Sequence, residues 1–201
     1  MKTGAVTASF GALALLVVGP SLATADEPSV EALAYTCAGC HGTDGSSVGP
    51  SSPHIAGLKE DYFIDSMTAY KANERNSTIM NRIAKGYTDE QITAMAEYFA
   101  TQKLRTASQK FDSVKAKRGA ELHEKYCENC HEDGGRDASE GGTLAGQWMP
   151  YLEFSMADFK SGARRMTKKM EKKLQAATSE NSDDVVDALI HFYVSQKQGS
   201  E

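Results

Sequence analysis

The sequence predicts an all-α protein made of two tandem copies of one small helical domain. The first observation is an internal repeat: residues 54–71, shifted by 89 positions, lie on residues 143–160 and pair Tyr62 with Tyr151. The second is that apolar residues recur at helical spacing in both copies, without the alternation typical of strands. The third is a C-x-x-C-H motif that occurs once in each copy. Together they indicate an internal duplication.

Each copy is predicted to begin with an amphipathic segment, followed by the motif, a loop and a middle helix. Pro28 and Glu31 open the first such segment, and KRGAELHEKY (117–126) forms the second. The loops after the motifs, at 42–53 and 132–143, are rich in Gly, Ser and Asp. The apolar positions of the two middle helices are Tyr62, Phe63, Met67 and Tyr70, and Tyr151, Leu152, Met156 and Phe159.

A closing helix is predicted at the end of each copy. In the first copy, Thr88 and Gln91 have the spacing of a capping box, in which each side chain bonds the other residue's backbone N–H. In the second copy, Ser182 precedes the apolar run. The apolar faces comprise Ile92, Met95, Ala96 and Phe99, and Val185, Val186, Leu189, Ile190 and Tyr193.

The expected organisation is an export leader at 1–25, a first copy at 26–101, a linker at 102–113 and a second copy at 114–201. At roughly 85 residues, an apolar core alone stabilises a domain only marginally. We therefore expect each copy to depend on a covalent staple or a bound group.

The first 25 residues are typical of an export signal. Lys2 supplies a positive start, residues 11–19 form an apolar run, and Ala-Thr-Ala at 23–25 is a small-residue cleavage site. The run is well short of the ~20 residues that a spanning helix needs, and no nearby cysteine is available for lipid attachment. The sequence predicts a periplasmic mature chain that begins near Asp26, with no stable membrane insertion.

Removal of the leader leaves 21 of the 22 basic residues against 27 acidic ones, a net charge of −6. This balance disfavours nucleic acid as a partner. One local cluster is basic: Lys168, Lys169, Lys172 and Lys173. It is expected to be a solvated face, with a docking surface for an acidic partner as the alternative.

All four cysteines of the chain belong to two motifs, Cys37-Cys40-His41 and Cys127-Cys130-His131. C-x-x-C-H is the attachment signature of c-type haem. Two thiols add to the porphyrin vinyl groups, and the adjacent histidine coordinates one face of the iron. The sequence thus predicts two covalently bound haem c groups.

Three other uses of cysteine explain the motifs less well. A zinc site would need both pairs as ligands, yet each pair belongs to its own copy. A thioredoxin-like redox pair expects a strand before a helix, which the helical pattern does not offer. Disulfide bonds are compatible with export but leave the histidine after each pair unexplained.

A haem iron that transfers electrons without binding small molecules needs a sixth ligand. Met80 lies 39 residues after His41. Met170 lies 39 residues after His131, whereas Met166 lies 35 after it. The repeat therefore favours Met80 and Met170 as distal ligands, with Met166 as a packing residue or haem-edge contact. Methionine opposite histidine gives a higher reduction potential than two histidines.

Other residues near the motifs have predicted supporting roles. The carbonyl of Pro50 is expected to accept a hydrogen bond from the first proximal histidine. The second copy has no proline there, so His131 is expected to be oriented differently or by a neighbouring carbonyl. His54, His123 and His191 have no counterparts in the other copy and are expected to be surface or structural residues. Met67, Met95 and Met156 are expected to be core residues.

Five longer phrases carry a family resemblance: CAGCHGTDGSSVGP (37–50), STIMNRIAKGY (77–87), KYCENCHEDGG (125–135), LAGQWMPYLEFSMADF (144–159) and RRMTKKM (164–170). The mature chain resembles the dihaem cytochromes of the cytochrome c4 type, with two tandem class I cytochrome c-like domains. It is more similar still to the cytochrome subunits of flavocytochrome c sulfide dehydrogenases.

This resemblance implies a non-catalytic electron-transfer subunit in a heterodimer. In that family, a flavoprotein subunit oxidises sulfide at a covalently held FAD beside a redox-active disulfide. The cytochrome subunit then passes electrons through its two haems to a small soluble acceptor such as a cytochrome c. FAD is therefore expected only in the partner. The carried-over haem residues are Cys37, Cys40, His41, Met80, Cys127, Cys130, His131 and Met170.

A free-standing cytochrome c4-type carrier to a terminal oxidase is the alternative function. A partner-bound subunit should expose an apolar patch that a free carrier would not. The candidate patch is Trp148, Met149, Pro150 and Tyr151. A third hypothesis, a haem sensor or peroxidase, needs an open distal position, which the matched methionines disfavour.

Overall fold

The computed structural model describes Met1, Gly4 and residues 27–106, 108–137, 141–181 and 184–196. Over these residues the chain is helical, with no strand beyond an isolated antiparallel bridge between Arg75 and Arg164. The predicted all-α fold is confirmed. Apart from Met1 and Gly4, the predicted leader lies outside the described residues, and so does Ser182. None of the helices described has the length and apolarity that crossing a membrane requires.

The helices follow the same order in both copies. The first copy contains α1 (Val30–Tyr35), α2 (Ala38–His41), α3 (Glu60–Lys71), α4 (Met80–Ile83), a 3-10 turn (Ala84–Gly86) and α5 (Asp89–Ala100). The second contains α6 (Ser113–Tyr126), α7 (Glu132–Gly135), α8 (Met149–Ser161), α9 (Lys168–Glu180) and α10 (Val185–Ser195). The single-turn segment α7 includes Asp133 and Gly134 in the left-handed region.

Side-chain caps define where several helices begin. The predicted capping box at Thr88 and Gln91 is present, with both reciprocal bonds formed before α5. The Asp112 carboxylate accepts hydrogen bonds from two backbone N–H groups of the first turn of α6. These caps satisfy N–H groups that have no partner within the helix.

Each copy has its own apolar core. In the first, α1 and α3 pack against α5, whose Ile92, Met95 and Phe99 are almost fully buried. In the second, α6 packs along α10. Gly119 permits that close crossing, because a Cβ there would lie 2.1 Å from the carbonyl oxygen of Ala188. Met67 and Met95 are buried and Met156 packs on the second core, so the prediction for these methionines is confirmed.

Equivalent backbone bonds show the duplication directly. The Gly45 carbonyl accepts hydrogen bonds from residues 55 and 56, and the Gly135 carbonyl accepts them from residues 144 and 145. Gly57 donates to the Phe99 carbonyl just as Gly146 donates to the Tyr193 carbonyl, both at 2.8 Å. The loop after each motif is thereby tied to the closing helix of its own copy.

Candidate functional site

Seven of the eight residues predicted to hold haem line one central cavity of about 780 Å³. They are Cys37, His41, Met80, Cys127, Cys130, His131 and Met170. Cys40 is exposed on α2, the same short helix that carries His41. The four cysteines are free thiols, as thioether attachment requires.

Local backbone geometry orients both motifs in the same way. The backbone N–H of His41 donates to the Cys37 carbonyl at 2.9 Å, and that of His131 donates to the Cys127 carbonyl at 3.0 Å. Residues four apart in a helical turn lie on one face. Each motif therefore presents its first cysteine and its histidine to the cavity from one turn of chain.

His41 is held through its Nδ1 atom, which lies 2.8 Å from the carbonyl oxygen of Pro53. The prediction that Pro50 provides this carbonyl is wrong. A turn closed by Ser52 N–H and the Gly49 carbonyl leaves Pro50 exposed and brings Pro53 to the ring. Burial lowers the pKa of His41, although the bond to Pro53 opposes that shift. The neutral ring keeps Nε2 for coordination.

His131 is held differently. Its Nδ1 atom is buried and has no hydrogen-bond partner within the described residues. Burial lowers the pKa of His131, and the nearby His123 adds to this effect. The predicted difference between the two proximal histidines is confirmed, so equal reduction potentials are not expected at the two sites.

The two candidate distal methionines lie near the starts of their helices. Met80 is the first residue of α4 and packs against the first core. Met170 is the third residue of α9, where its backbone N–H donates to the Thr167 hydroxyl at 3.2 Å. Met166 precedes α9 and is not among the residues that line the central cavity. This placement supports the preference for Met170 over Met166.

Two arginines in the cavity wall, Arg75 buried and Arg164 partly buried, were not predicted. Arg75 donates to Ser66 Oγ at 2.6 Å and to the hydroxyl of Tyr151 in the other copy at 3.2 Å. Arg164 donates to the hydroxyl of Tyr62 at 2.9 Å, again across the copies. The internal repeat could have indicated them, because the shift of 89 positions that pairs Tyr62 with Tyr151 also pairs the two arginines.

These arginines change the ionisation of the tyrosines around them. Burial would raise the pKa of Tyr62, but the positive charges of Arg75 and Arg164 outweigh it and lower that pKa to about 8. For Tyr70 burial prevails and raises the pKa to about 12, with Arg75 opposing it. Tyr62, Tyr151 and Tyr70 outweigh burial at Arg75 and raise its pKa, so this guanidinium stays charged.

The charges of Arg75 and Arg164 indicate whether the cavity is suited to haem. Among the described residues, neither Arg75 nor Arg164 forms a salt bridge with a carboxylate. Buried cations require a compensating partner. A haem carries two propionate carboxylates, which two guanidinium groups in the cavity wall can bind. Together with paired thiols, neutral imidazoles and thioethers, this donor set fits two haems.

Beyond the arginines, a buried contact joins the two copies. The Gln147 side chain accepts from the His54 N–H at 2.8 Å and donates to the His54 carbonyl at 3.2 Å. Trp148 stacks on the His54 ring, with centroids 5.7 Å apart, and donates its indole N–H to the Ser47 carbonyl. We call His54, Gln147, Trp148 and Ser47 the inter-copy contact.

This contact corrects one prediction and resolves another. Trp148 is only 9% exposed and its neighbours are partly buried, so the prediction of an exposed patch at Trp148 to Tyr151 is wrong. Trp148 of the second copy is covered by His54 and Ser47 of the first copy. His54 and His123 are buried rather than at the surface, and His191 is partly buried.

Comparison with known proteins identifies the family. Residues 30–103 match the family model described as Cytochrome c, and residues 114–192 match the model described as Cytochrome C oxidase, cbb3-type, subunit III. Cytochrome c4 of Pseudomonas aeruginosa is 30% identical over 160 residues, which cover 76% of this chain and 80% of that protein. This chain belongs to the dihaem cytochrome c4-like family.

Two further similarities place this cytochrome c4-like chain. The cytochrome subunit of sulfide dehydrogenase from Chlorobaculum tepidum is 44% identical over 80 residues, covering 40% of this chain and 72% of that protein. Reduced cytochrome c4 from Pseudomonas stutzeri superimposes with a TM-score of 0.70 at 23% identity, covering 83% of this chain and 96% of that one, which shows a common fold. The chain is thus a dihaem c-type electron carrier related to both groups.

Proposed function

We propose that this chain is the periplasmic cytochrome subunit of a sulfide-oxidising flavocytochrome c. It would receive electrons from an FAD-containing subunit and pass them to a small soluble acceptor. The observation that carries this choice is the 44% identity with a sulfide dehydrogenase cytochrome subunit, against 30% with a cytochrome c4. The export leader at 1–25 and the two domains at 26–101 and 114–201 are part of the proposal.

The eight predicted site residues have matched roles in this proposal. Cys37, Cys40, Cys127 and Cys130 form the thioethers, His41 and His131 coordinate from one side, and Met80 and Met170 from the other. Each bound haem supplies one-electron redox chemistry. Oxidation of sulfide to sulfur releases two electrons, and a flavin takes both. Two one-electron sites that share one cavity can together accept both electrons of such a flavin.

The two methionine sites differ in their surroundings, which supports two different partners. Ile79 and Ile83 flank Met80 and are exposed. Lys169 and Lys173 occupy the corresponding positions around Met170 and are also exposed. An exposed apolar surface fits a stable protein partner. A cationic surface on an acidic chain fits an acidic partner that binds transiently. We assign the flavoprotein to the first surface and the soluble acceptor to the second.

The free-standing carrier to a terminal oxidase is the second candidate. The match with cytochrome c4 covers 76% of this chain, whereas the match with the sulfide dehydrogenase subunit covers 40%. Both candidates share the fold and the proposed haem ligation. They differ in whether a flavoprotein binds, so the decisive test concerns the partner.

The test is affinity purification of the mature chain from its native periplasm. We expect a flavoprotein to co-purify. Addition of sulfide should then reduce the haems, which absorption spectroscopy measures. A flavin-free eluate with haems that sulfide does not reduce would instead favour the free carrier. Thiosulfate, added separately, controls for reduction by another sulfur donor.

Surface variants locate the flavoprotein contact. Ile79→Asp should abolish co-purification while leaving the haem spectrum unchanged, because Ile79 is exposed and is not among the residues that line the central cavity. Phe154→Asp is the matched control, because Phe154 is an exposed apolar residue of α8. An equal loss in the control would contradict the assigned surface.

Charge reversal tests the acceptor surface. Lys169→Glu with Lys173→Glu should slow electron transfer to an acidic acceptor several-fold at low salt and remove most of its salt dependence. Lys103→Glu with Lys110→Glu, two exposed lysines outside the helices, is the control. Equal slowing by both pairs would mean that only net charge matters.

A further inference from the structure

The second copy has polar residues in its core where the first is apolar. His123 lies four residues before Cys127, as Leu33 lies four before Cys37. Tyr193 occupies the place of Phe99, since equivalent glycines donate to the two backbone carbonyls. Both polar side chains are buried, with His123 2% and Tyr193 6% exposed. Polar groups at such positions are costly unless they are hydrogen-bonded.

The two residues belong to a hydrogen-bonded chain that runs from solvent to Tyr193 in the wall of the central cavity. His123 Nε2 lies 2.5 Å from the Glu128 carboxylate, whose side chain is 41% exposed. His123 Nδ1 lies 2.9 Å from the Tyr193 hydroxyl. That hydroxyl is close enough to the Cys127 sulfur to affect the pKa of the thiol, and both residues line the central cavity. We call Glu128, His123, Tyr193 and Cys127 the polar relay.

The first copy lacks every polar member of this relay. Ala38 occupies the position of Glu128, alongside Leu33 and Phe99. That copy builds its core without them, so the fold does not require the relay. The relay therefore points to a property that distinguishes the second haem site from the first.

We propose that the polar relay couples electron transfer at the second site to protonation of His123, so that between pH 5 and pH 7 only this site has a pH-dependent reduction potential. The coupling requires haem at both sites and is independent of the electron donor. One proton from solvent enters the His123 ring past Glu128 when one electron arrives at the second site. The same proton leaves when the electron leaves.

The hydroxyl of Tyr193 transmits the change because it has a single hydrogen. When the His123 ring is neutral and its proton lies on Nε2 toward Glu128, Nδ1 accepts the tyrosine hydrogen. When the ring is protonated, Nδ1 becomes a donor, and the tyrosine hydrogen turns to the Cys127 sulfur. A positive charge on the ring also favours the reduced state, whose iron carries one less positive charge.

Several ionisable groups on neighbouring elements face the relay. Glu128 accepts additional hydrogen bonds from the backbone of Asp133 and Gly134, and together with His123 these outweigh burial and lower its pKa. The positive charge of Lys173 on α9 opposes the rise that burial causes in the pKa of Cys127. His123 adds electrostatically to the lowering of the His131 pKa, without a hydrogen bond between the two rings. From α10, the apolar Phe192 packs against the His123 ring.

The first copy has its own buried histidine, which must be distinguished from the relay. His54 lines the central cavity, and burial is the main reason that its pKa falls to about 4. It therefore stays neutral from pH 5 to 9. Tyr62 also lines the cavity and has a pKa of about 8. It keeps its proton between pH 5 and pH 7, so a pH-dependent potential is not expected at the first site in that narrower range.

The test is spectroelectrochemical titration of the haem-loaded chain from pH 5 to 7, below the pKa of Tyr62. One of the two potentials should fall with rising pH, by up to tenfold in the reduction equilibrium per pH unit, or about 59 mV for one electron. His123→Leu with Tyr193→Phe introduces the residues of the first copy and should make both potentials independent of pH. Two flat potentials in the wild type, or a slope that persists in this variant, would overturn the proposal.

A second variant keeps the test informative if the double variant does not fold. Glu128→Gln changes a partly exposed side chain and removes the carboxylate that stabilises a protonated ring. The pH-dependent range should then move to lower pH, whereas an unmoved range would contradict the relay. His191→Gln is the control histidine on α10 and should leave both curves unchanged. The absorption spectrum reports haem attachment separately in every variant.

Discussion

Arg75 of the first copy donates a hydrogen bond to the hydroxyl of Tyr151 in the second, and Arg164 of the second donates one back to Tyr62 of the first. Arg75 and Arg164 occupy equivalent positions in the repeat, and so do Tyr62 and Tyr151, so the two hydrogen bonds are equivalent. This is the reciprocal pattern of a two-fold symmetric interface, formed here within one chain. It places two guanidinium groups in the wall of the central cavity, with that of Arg75 buried.

Replacing Arg75 should destabilise the contact between copies. Arg75→Met removes the bonds to Ser66 and Tyr151, and we expect the free energy of unfolding to fall by about 2 kcal/mol or more. Denaturant titration of the haem-loaded protein measures it. Arg105→Met is the control, since that side chain is 82% exposed and, among the described residues, forms an ion pair with Asp44 alone, at 3.4 Å. Equal shifts in both variants would contradict a special role for Arg75.

Gln147→Leu should be similarly costly for a different reason. It leaves the N–H and carbonyl of His54 buried without their side-chain partner, and such groups cost about 1–3 kcal/mol each. The midpoint of denaturant unfolding should fall clearly. Gln175→Leu, on the exposed face of α9, should leave it nearly unchanged. A tolerated Gln147→Leu would show that water or another group replaces the amide.

Removing a distal ligand should open one haem to carbon monoxide. Met80→Ala and Met170→Ala are each expected to make half of the reduced haem bind carbon monoxide, seen in the absorption spectrum. Met166→Ala is the internal control and should bind none, because Met166 is not among the cavity-lining residues. If Met166→Ala binds the gas and Met170→Ala does not, the assignment in the second copy must be exchanged.

His54 should make the protein less stable in acid. Its pKa is lowered to about 4, chiefly by burial, while an unfolded histidine titrates near 6.5. Between these values the unfolded state binds a proton that the folded state does not, so stability falls as the pH decreases. We expect a loss of about 1–2 kcal/mol between pH 7 and pH 5.

Substitution of His54 provides the check. His54→Gln loses the stacking on Trp148 at every pH, but it cannot take up the proton. Its unfolding midpoint should therefore change less between pH 7 and pH 5 than that of the wild type. His191→Gln should retain the full acid sensitivity. An identical pH dependence in wild type and His54→Gln would assign the effect to other groups.

Local features of this protein were predictable because short stretches of chain encode them. The capping box at Thr88 and Gln91 depends on residues three apart. The C-x-x-C-H motifs need only one helical turn to bring a cysteine and a histidine to one face. The repeat extended this logic, since one spacing of 39 residues pointed to both Met80 and Met170.

Features that depend on distant contacts were missed or predicted wrongly. The sequence around Trp148 predicts a surface aromatic residue. In the structure, Ser47 and His54 of the first copy cover it. The carbonyl that holds His41 belongs to Pro53 because a turn at residues 49–52 displaces Pro50. Hydrogen-bond partners across such distances depend on how loops close, which local propensity does not encode.

The sequence by itself determined the helical class, the duplication, the two haem motifs and the spacing of their candidate ligands, because covalent order and helical periodicity express these directly. Only the tertiary structure decided that the two sites share one cavity, that Arg75 and Arg164 exchange tyrosine partners across it, and that His123 joins Glu128 to Tyr193. The physical reason is burial: a polar side chain that leaves water must find a partner, and folding alone brings that partner within reach.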